Sequence, residues 1–199
     1  MEWINDKVLA SFGRHEAPVM TLQDGLDPGE VVFIMSGLIP NRKSHPLVHR
    51  WFGVVFQGGK LSRVEEFSAL MKRTGLGKIA LPNPGAEVDT EMLRKLLPLA
   101  VDEAQSYMSQ VRYEFKETMD RKLDEQVDRL GDLQQRQHAE LEKRFSDTKP
   151  LDKLAKMRQE KERREIDRTF DEYVEWVKDT METEKTAYIR VVAVLKGTA

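Results

Sequence analysis

Apolar residues recur at steps of three and four through Leu97, Val101, Ala104, Met108, Val111, Phe115, Met119, Leu123, Val127, Leu130, Leu141 and Phe145. That spacing places them on one face of a helix. A second stretch keeps the same period at Leu151, Leu154, Met157, Ile166, Phe170, Tyr173, Val177 and Met181. Ser146-Asp147-Thr148-Lys149-Pro150 separates the two and is long enough only for a reversal, so the pattern predicts an antiparallel helical hairpin over residues 89–185. An arm of roughly 45 residues spans roughly 65 Å, against a radius of gyration of about 16 Å for a compact chain of this size, so the hairpin is expected to project.

The pattern changes on either side of the hairpin. Glu30 to Ile39 (EVVFIMSGLI) is apolar on both parities, as in a strand covered on both faces, and it ends at Pro40. Leu47 to Gln57 (LVHRWFGVVFQ) reads as a second strand, paired antiparallel to the first across the polar, basic loop Asn41 to Pro46 and closed by Gly58-Gly59. Ala17 to Leu22 is a further candidate strand, and Trp3 to Phe12 a weakly patterned short helix. Leu61 to Arg73 (LSRVEEFSALMKR) fits a helix capped by Ser62 and stopped by Gly75 and Gly77, with Leu61, Val64, Phe67, Leu70 and Met71 on one face.

Leu81 to Gly85 (LPNPG) is a linker, Asp89 and Thr90 cap the first arm, and Pro98 predicts a kink or a fresh helix start. Tyr188 to Leu195 (YIRVVAVL) is again apolar on both parities, and its expected partners are the strands around Phe33 and Val54. The fold class is therefore α+β: a small, mainly antiparallel sheet with a long antiparallel helical hairpin inserted before the last strand. An α/β base comes from residues 1–88 and 186–199, and a coiled-coil-like insertion from residues 89–185.

Composition narrows the function classes. With 33% charged and 40% hydrophobic residues in 199, the chain can bury one core and still carry a large charged surface. A net charge of −2 argues against a surface built wholesale for nucleic acid or an acidic membrane, so such contacts need a local patch. The chain has no cysteine, which removes disulfides, thiol nucleophiles and thiolate metal sites and suits a reducing cytosol. There is no apolar run near the roughly 18 residues of a membrane span and no signal-like start, so no membrane partner and a cytoplasmic location are expected. The opening Met1-Glu2-Trp3 does not read as a natural domain start, and a piece of a longer protein is expected.

The search for chemistry returns no catalytic constellation, no metal site and no cofactor, so this chain is not expected to be an enzyme. Gly75-Leu76-Gly77-Lys78 lacks the spacing and the following Ser or Thr of a phosphate loop. His45 and His49 have a metal-compatible interval, but Pro46 between them precludes a shared helix face, and His138 is expected to be solvated. Two basic clusters remain as candidate nucleic-acid or partner-binding residues. Arg42, Lys43, His45, His49 and Arg50 lie in and after the strand-connecting loop, beside Trp51 and Phe52, a mixture suited to phosphate contact and stacking. Lys156, Arg158, Lys161, Arg163, Arg164 and Arg168 lie on the second arm, interleaved with Glu160, Glu162, Glu165 and Asp167 as on a solvated helix face.

The order of parts resembles the C-terminal region of bacterial Swi/Snf-type helicases, the RNA polymerase recycling ATPases among them. The resemblance rests on the strand Pro28 to Leu38, the segment Val64 to Gly75, the long charged helices, and above all the ending Thr169 to Leu195 (TFDEYVEWVKDTMETEKTAYIRVVAVL). It covers roughly residues 28–195. It implies a non-catalytic accessory domain of an ATP-dependent motor, touching the motor core of the parent chain, DNA or RNA, or RNA polymerase. The family's ATPase motifs have no counterpart in this chain, so no catalytic residue carries over. The alternative is a structural interaction or oligomerisation module that pairs as a homodimer through the hairpin's apolar seam, without nucleic acid.

Overall fold

The strand β2, Glu30–Pro40, is buried along most of its length, as its apolar residues on both parities require. Around it the computed structural model, which describes residues 16–77, 88–146 and 153–198, builds a five-stranded sheet. Its other strands are β1 (Val19–Leu22), β3 (Pro46–Gln57), β4 (Lys60–Glu66) and β5 (Tyr188–Gly197), in the order β1-β5-β2-β3-β4. Three helices complete the described chain: α1 (Phe67–Thr74), α2 (Thr90–Phe145) and α3 (Lys153–Met181). The expected helix at Trp3 to Phe12, the linker Leu81 to Gly85 and all but the first residue of the reversal at 146–150 lie outside the described residues.

The described chain divides into two units. One holds the residues up to Ile39, Val48–Arg112 and those from Lys185 onward; the other holds Pro40–Leu47 and Tyr113–Glu184. In the first unit, Val32 and Ile34 of β2, Val55 of β3 and Ala193 and Leu195 of β5 form a buried cluster with Leu70 of α1, and Trp51 and Phe67 pack against it. The alternate parity faces the start of α2. There the Phe52 ring lies 4.5 Å from that of Tyr107, and Ala100, Ala104 and Met108 are fully buried at four-residue spacing. Phe33 meets Phe56 edge-on at 5.7 Å on the same parity. Two helices thus cover the two faces, which is why β2, β3 and β5 carry apolar residues at successive positions.

A buried ion cluster ties the first unit together. Glu30 is only 2% exposed and accepts hydrogen bonds from Arg73 at 3.0 Å and from the amide of Asp27 at 2.9 Å. Arg73 also donates to Glu65 at 2.8 Å and to the carbonyl of Gly25 at 3.0 Å. Burial pushes the Glu30 carboxyl up, but the hydrogen bonds from Arg73 and Asp27 and the charges of Arg73 and Arg63 outweigh it and hold the group below the usual carboxylate range.

The sheet with the long helices inserted before its last strand agrees with the pattern read from the chain. Three details differ. The segment expected as one helix from Leu61 to Arg73 is strand β4 followed by the shorter helix α1. Gly58 and Gly59, at φ 57° and 79°, form a two-residue hairpin that pairs Gln57 with Lys60 and sends the chain back along β3. Ser62 consequently lies within the strand and caps nothing, and α1 begins after Glu66 without a side-chain cap bond. Its end is as expected, with Gly75 left-handed at φ 68°.

The second detail is Pro98, which starts no new helix: α2 runs through it. Pro98 removes the amide that would bond the carbonyl of Arg94, but both residues are exposed, so water can satisfy that carbonyl. The cap at the start of α2 is as expected, with the Asp89 carboxylate accepting the amide of Met92 at 3.0 Å.

The third detail is the seating of the last strand. β5 pairs antiparallel with β2, Phe33 opposite Val194, and parallel with β1, Val19 opposite Val194. The strand around Val54 is not its partner; β3 lies between β2 and β4. The weak N-terminal strand takes the place expected for it.

Candidate interaction surface

Asn41 organises the loop that carries the first basic cluster. Its side chain is 1% exposed, its Oδ1 accepts the amides of Lys43 at 3.0 Å and His45 at 2.8 Å, and its Nδ2 donates to the carbonyl of Thr180 at 3.0 Å. The backbone closes the turn, with Asn41 N donating to His45 O at 2.8 Å and Ser44 taking a left-handed φ of 63°. Asn41 also bridges to Thr183, and the amide of Glu184 donates to Pro40 at 2.8 Å. A single buried amide therefore fixes both the loop conformation and its attachment to the end of α3.

This attachment brings loop cations onto the last turns of α3. Arg42 forms ion pairs with Asp179, at 3.7 Å, and with Glu182. Lys43 Nζ lies 5.9 Å from the centroid of the Trp176 ring, within cation–π range, and Trp176 lies 6.0 Å from Tyr173, one helical turn earlier. Trp176 is 53% exposed and Tyr173 57%. Two large aromatic rings and a lysine thus form a solvent-facing patch on one unit, with Arg42 at its edge neutralised by acids. Trp and Tyr combine apolar area with a polar handle and few torsions, and they dominate the energetics of protein contacts.

The expected site residues divide. Arg42, Lys43 and His45 belong to this loop, with His45 exposed and held through its backbone. His49 and Arg50 belong to β3 in the other unit. His49 Nε2 lies 2.8 Å from Ser36 Oγ and accepts from Trp51 Nε1 at 3.1 Å, which makes it a part of the sheet's surface network. Phe52 is fully buried and Trp51 packs on the core, so the stacking partners expected beside the loop are not offered there. Trp176 and Tyr173 take that place. The signal was present: Trp176 stands off the apolar period of an otherwise charged helix.

On α3 the second cluster is laced with acids. Lys161 pairs with Glu165 at 3.9 Å, Arg164 with Glu160 at 3.3 Å and Arg168 with Glu172 at 3.7 Å, all exposed pairs one turn apart. Lys156, Arg158 and Arg163 lie exposed on the same helix. His138, expected to be solvated, instead sits between the arms with its side chain 20% exposed and Nε2 2.8 Å from Asp167 Oδ1. Its apolar neighbours along α2 carry it inward, and Gln134 donates to the same oxygen at 2.8 Å. The hydrogen bond from His138, then that from Gln134, holds the Asp167 carboxyl below the usual range. Among the described residues no helix is long and apolar enough to cross a membrane. No family model, curated protein or solved structure matches the chain.

Proposed function

We propose that this chain is a non-catalytic accessory module that makes protein contacts through Lys43, Tyr173 and Trp176. The observation that carries this reading is the exposure of two adjacent aromatic rings on α3, beside a loop that buried Asn41 locks to the end of that helix. Charge favours a protein over a polyanion as the partner, because Arg42 and several bases of α3 already have carboxylates beside them. The resemblance to the C-terminal region of Swi/Snf-type helicases makes the motor core and RNA polymerase the first partners to test, with DNA as the competing one.

Labelled full-length chain titrated with purified bacterial RNA polymerase core, and separately with duplex DNA, tests this reading. Saturable polymerase binding is expected, weakened about tenfold or more by Tyr173→Ala with Trp176→Ala and changed little by salt. DNA binding that falls steeply with salt and ignores the aromatic substitutions contradicts it.

A second reading has its own support. Leu154 and Met157, on the apolar period of α3, are 70% and 67% exposed. Such a seam fits self-association of the hairpin.

A further inference from the structure

On the sheet face of Val32, Ile34 and Val55, Leu70 of α1 packs over a buried cluster. Farther along the same parity of β2, burial falls: Ser36 and Leu38 are half-buried, and their cross-strand partners in β5 are Arg190 and Tyr188. His49 of β3 joins this face, with Nε2 2.8 Å from Ser36 Oγ. Trp51, seated against Phe67 at 5.4 Å, donates its Nε1–H to the same nitrogen at 3.1 Å. Nε2 is therefore an acceptor, and the proton of the neutral ring sits on Nδ1, which has no partner among the described residues. Tyr188 is 69% exposed and His49 is exposed. Arg190 has no ion pair or hydrogen bond among the described residues, whereas Arg42, Arg63, Arg73 and Arg144 all have carboxylates within 4.0 Å. None of these face residues is an acid, in a chain with 34 Asp and Glu, and all of them belong to the unit that contains the sheet.

We infer that this part of the sheet face binds single-stranded RNA, with a base stacked on Tyr188, the adjoining phosphate on Arg190 and a ribose at His49 and Ser36. Bases reach an open sheet face only when they are splayed from a partner strand, and they stack on an exposed ring whatever their identity. Arg190 stands two residues from that ring on the same side of β5, and a guanidinium with no carboxylate beside it is a ready phosphate donor. The absence of acids removes the repulsion that the chain's negative charge imposes on a polyanion elsewhere. A ribose 2′-hydroxyl both donates and accepts, so it can take the Nδ1–H of His49 and give its own proton to the Ser36 oxygen. Deoxyribose can do neither, which favours RNA over DNA.

These residues are separate from the Lys43, Tyr173 and Trp176 surface, so the two proposals stand or fall independently. Fluorescence anisotropy of a labelled oligouridylate of about ten nucleotides, titrated with the full chain, tests the inference. Saturable binding is expected, falling with salt at a log–log slope of about −0.7, the value for one phosphate contact on a single strand. An oligodeoxyuridylate of the same length should bind about fivefold more weakly, and duplex RNA should not bind. Tyr188→Ala should weaken the RNA about tenfold and Tyr188→Phe little, which separates loss of the ring from loss of the fold. Arg190→Gln should flatten the salt dependence, and Tyr173→Ala with Trp176→Ala should change nothing. No saturable binding, equal affinity for the deoxy strand or the duplex, indifference to Tyr188→Ala, or loss on the Tyr173 and Trp176 substitutions overturns it.

Discussion

Asn41 shows how much one side chain can fix. Its oxygen holds two loop amides and its nitrogen holds a carbonyl in the last turn of α3. Asn41→Asp keeps the acceptor but loses the donor, and sets a negative charge beside carbonyls at a helix C-terminus, where the macrodipole is already negative. It should cost about 1–3 kcal/mol in denaturant unfolding and release the loop, read as faster amide hydrogen exchange at residues 43 and 45, whose amides Asn41 accepts. A variant as stable as the parent, with the loop signal unchanged, contradicts this role.

Glu30 carries the corresponding weight in the sheet. Its carboxyl is held below the usual range, so its contribution to stability is fully present above the unfolded value of about 4.3 and is lost as pH falls through the lowered folded value. Arg73→Ala removes the nearer guanidinium from the buried Glu30 carboxylate, leaving Arg63 at 3.4 Å, and should destabilise by about 2 kcal/mol at neutral pH, with the deficit shrinking in acid as Glu30 protonates. Urea unfolding at pH 7 and pH 3.5 measures both; a deficit independent of pH contradicts the pairing. Neither residue could be singled out from the chain alone. Arg73 read as a base at a helix end, and nothing local marks Glu30 as buried. The Asp89 cap was legible because its bond to Met92 is local.

Among the elements, legibility follows how local the deciding interactions are. β2 and β5 are apolar on both parities and were readable as covered strands, β3 was readable as a strand, and the long periods of α2 and α3 were readable as helices. The segment from Leu61 to Arg73 was not, because Leu61, Val64, Phe67 and Leu70 satisfy a helical period while the Gly58-Gly59 turn and pairing to β3 impose a strand as far as Glu66. Lys60, Arg63 and Glu65 then serve as the charged side chains of an edge strand, which discourage further pairing.

α3 fully buries none of its side chains. If Leu154 and Met157 meet a second copy, sedimentation velocity should show a coefficient that rises with concentration, and Leu154→Glu with Met157→Glu should hold it constant. A constant coefficient for the parent chain removes self-association.

At the scale of the whole molecule, the last strand does most to define the fold. β5 enters between β1 and β2, so the sheet cannot be completed until the chain beyond α3 returns to it. The arrangement was legible from Tyr188 to Leu195, whose apolar character on both parities called for two neighbours, but one neighbour was misassigned because four-residue β1 carries so weak a pattern. The proposed contact surface was only half legible: Arg42 and Lys43 stood out as a basic pair, whereas the Trp176 ring beside Lys43 lies more than a hundred residues away and was hidden by the helix's charge.

Hydrogen–deuterium exchange of the full chain, with and without RNA polymerase core, tests the central claim most directly. Protection is predicted at residues 41–45 and across 173–183. Protection confined to residues 156–168, or none at all in a saturated complex, contradicts it.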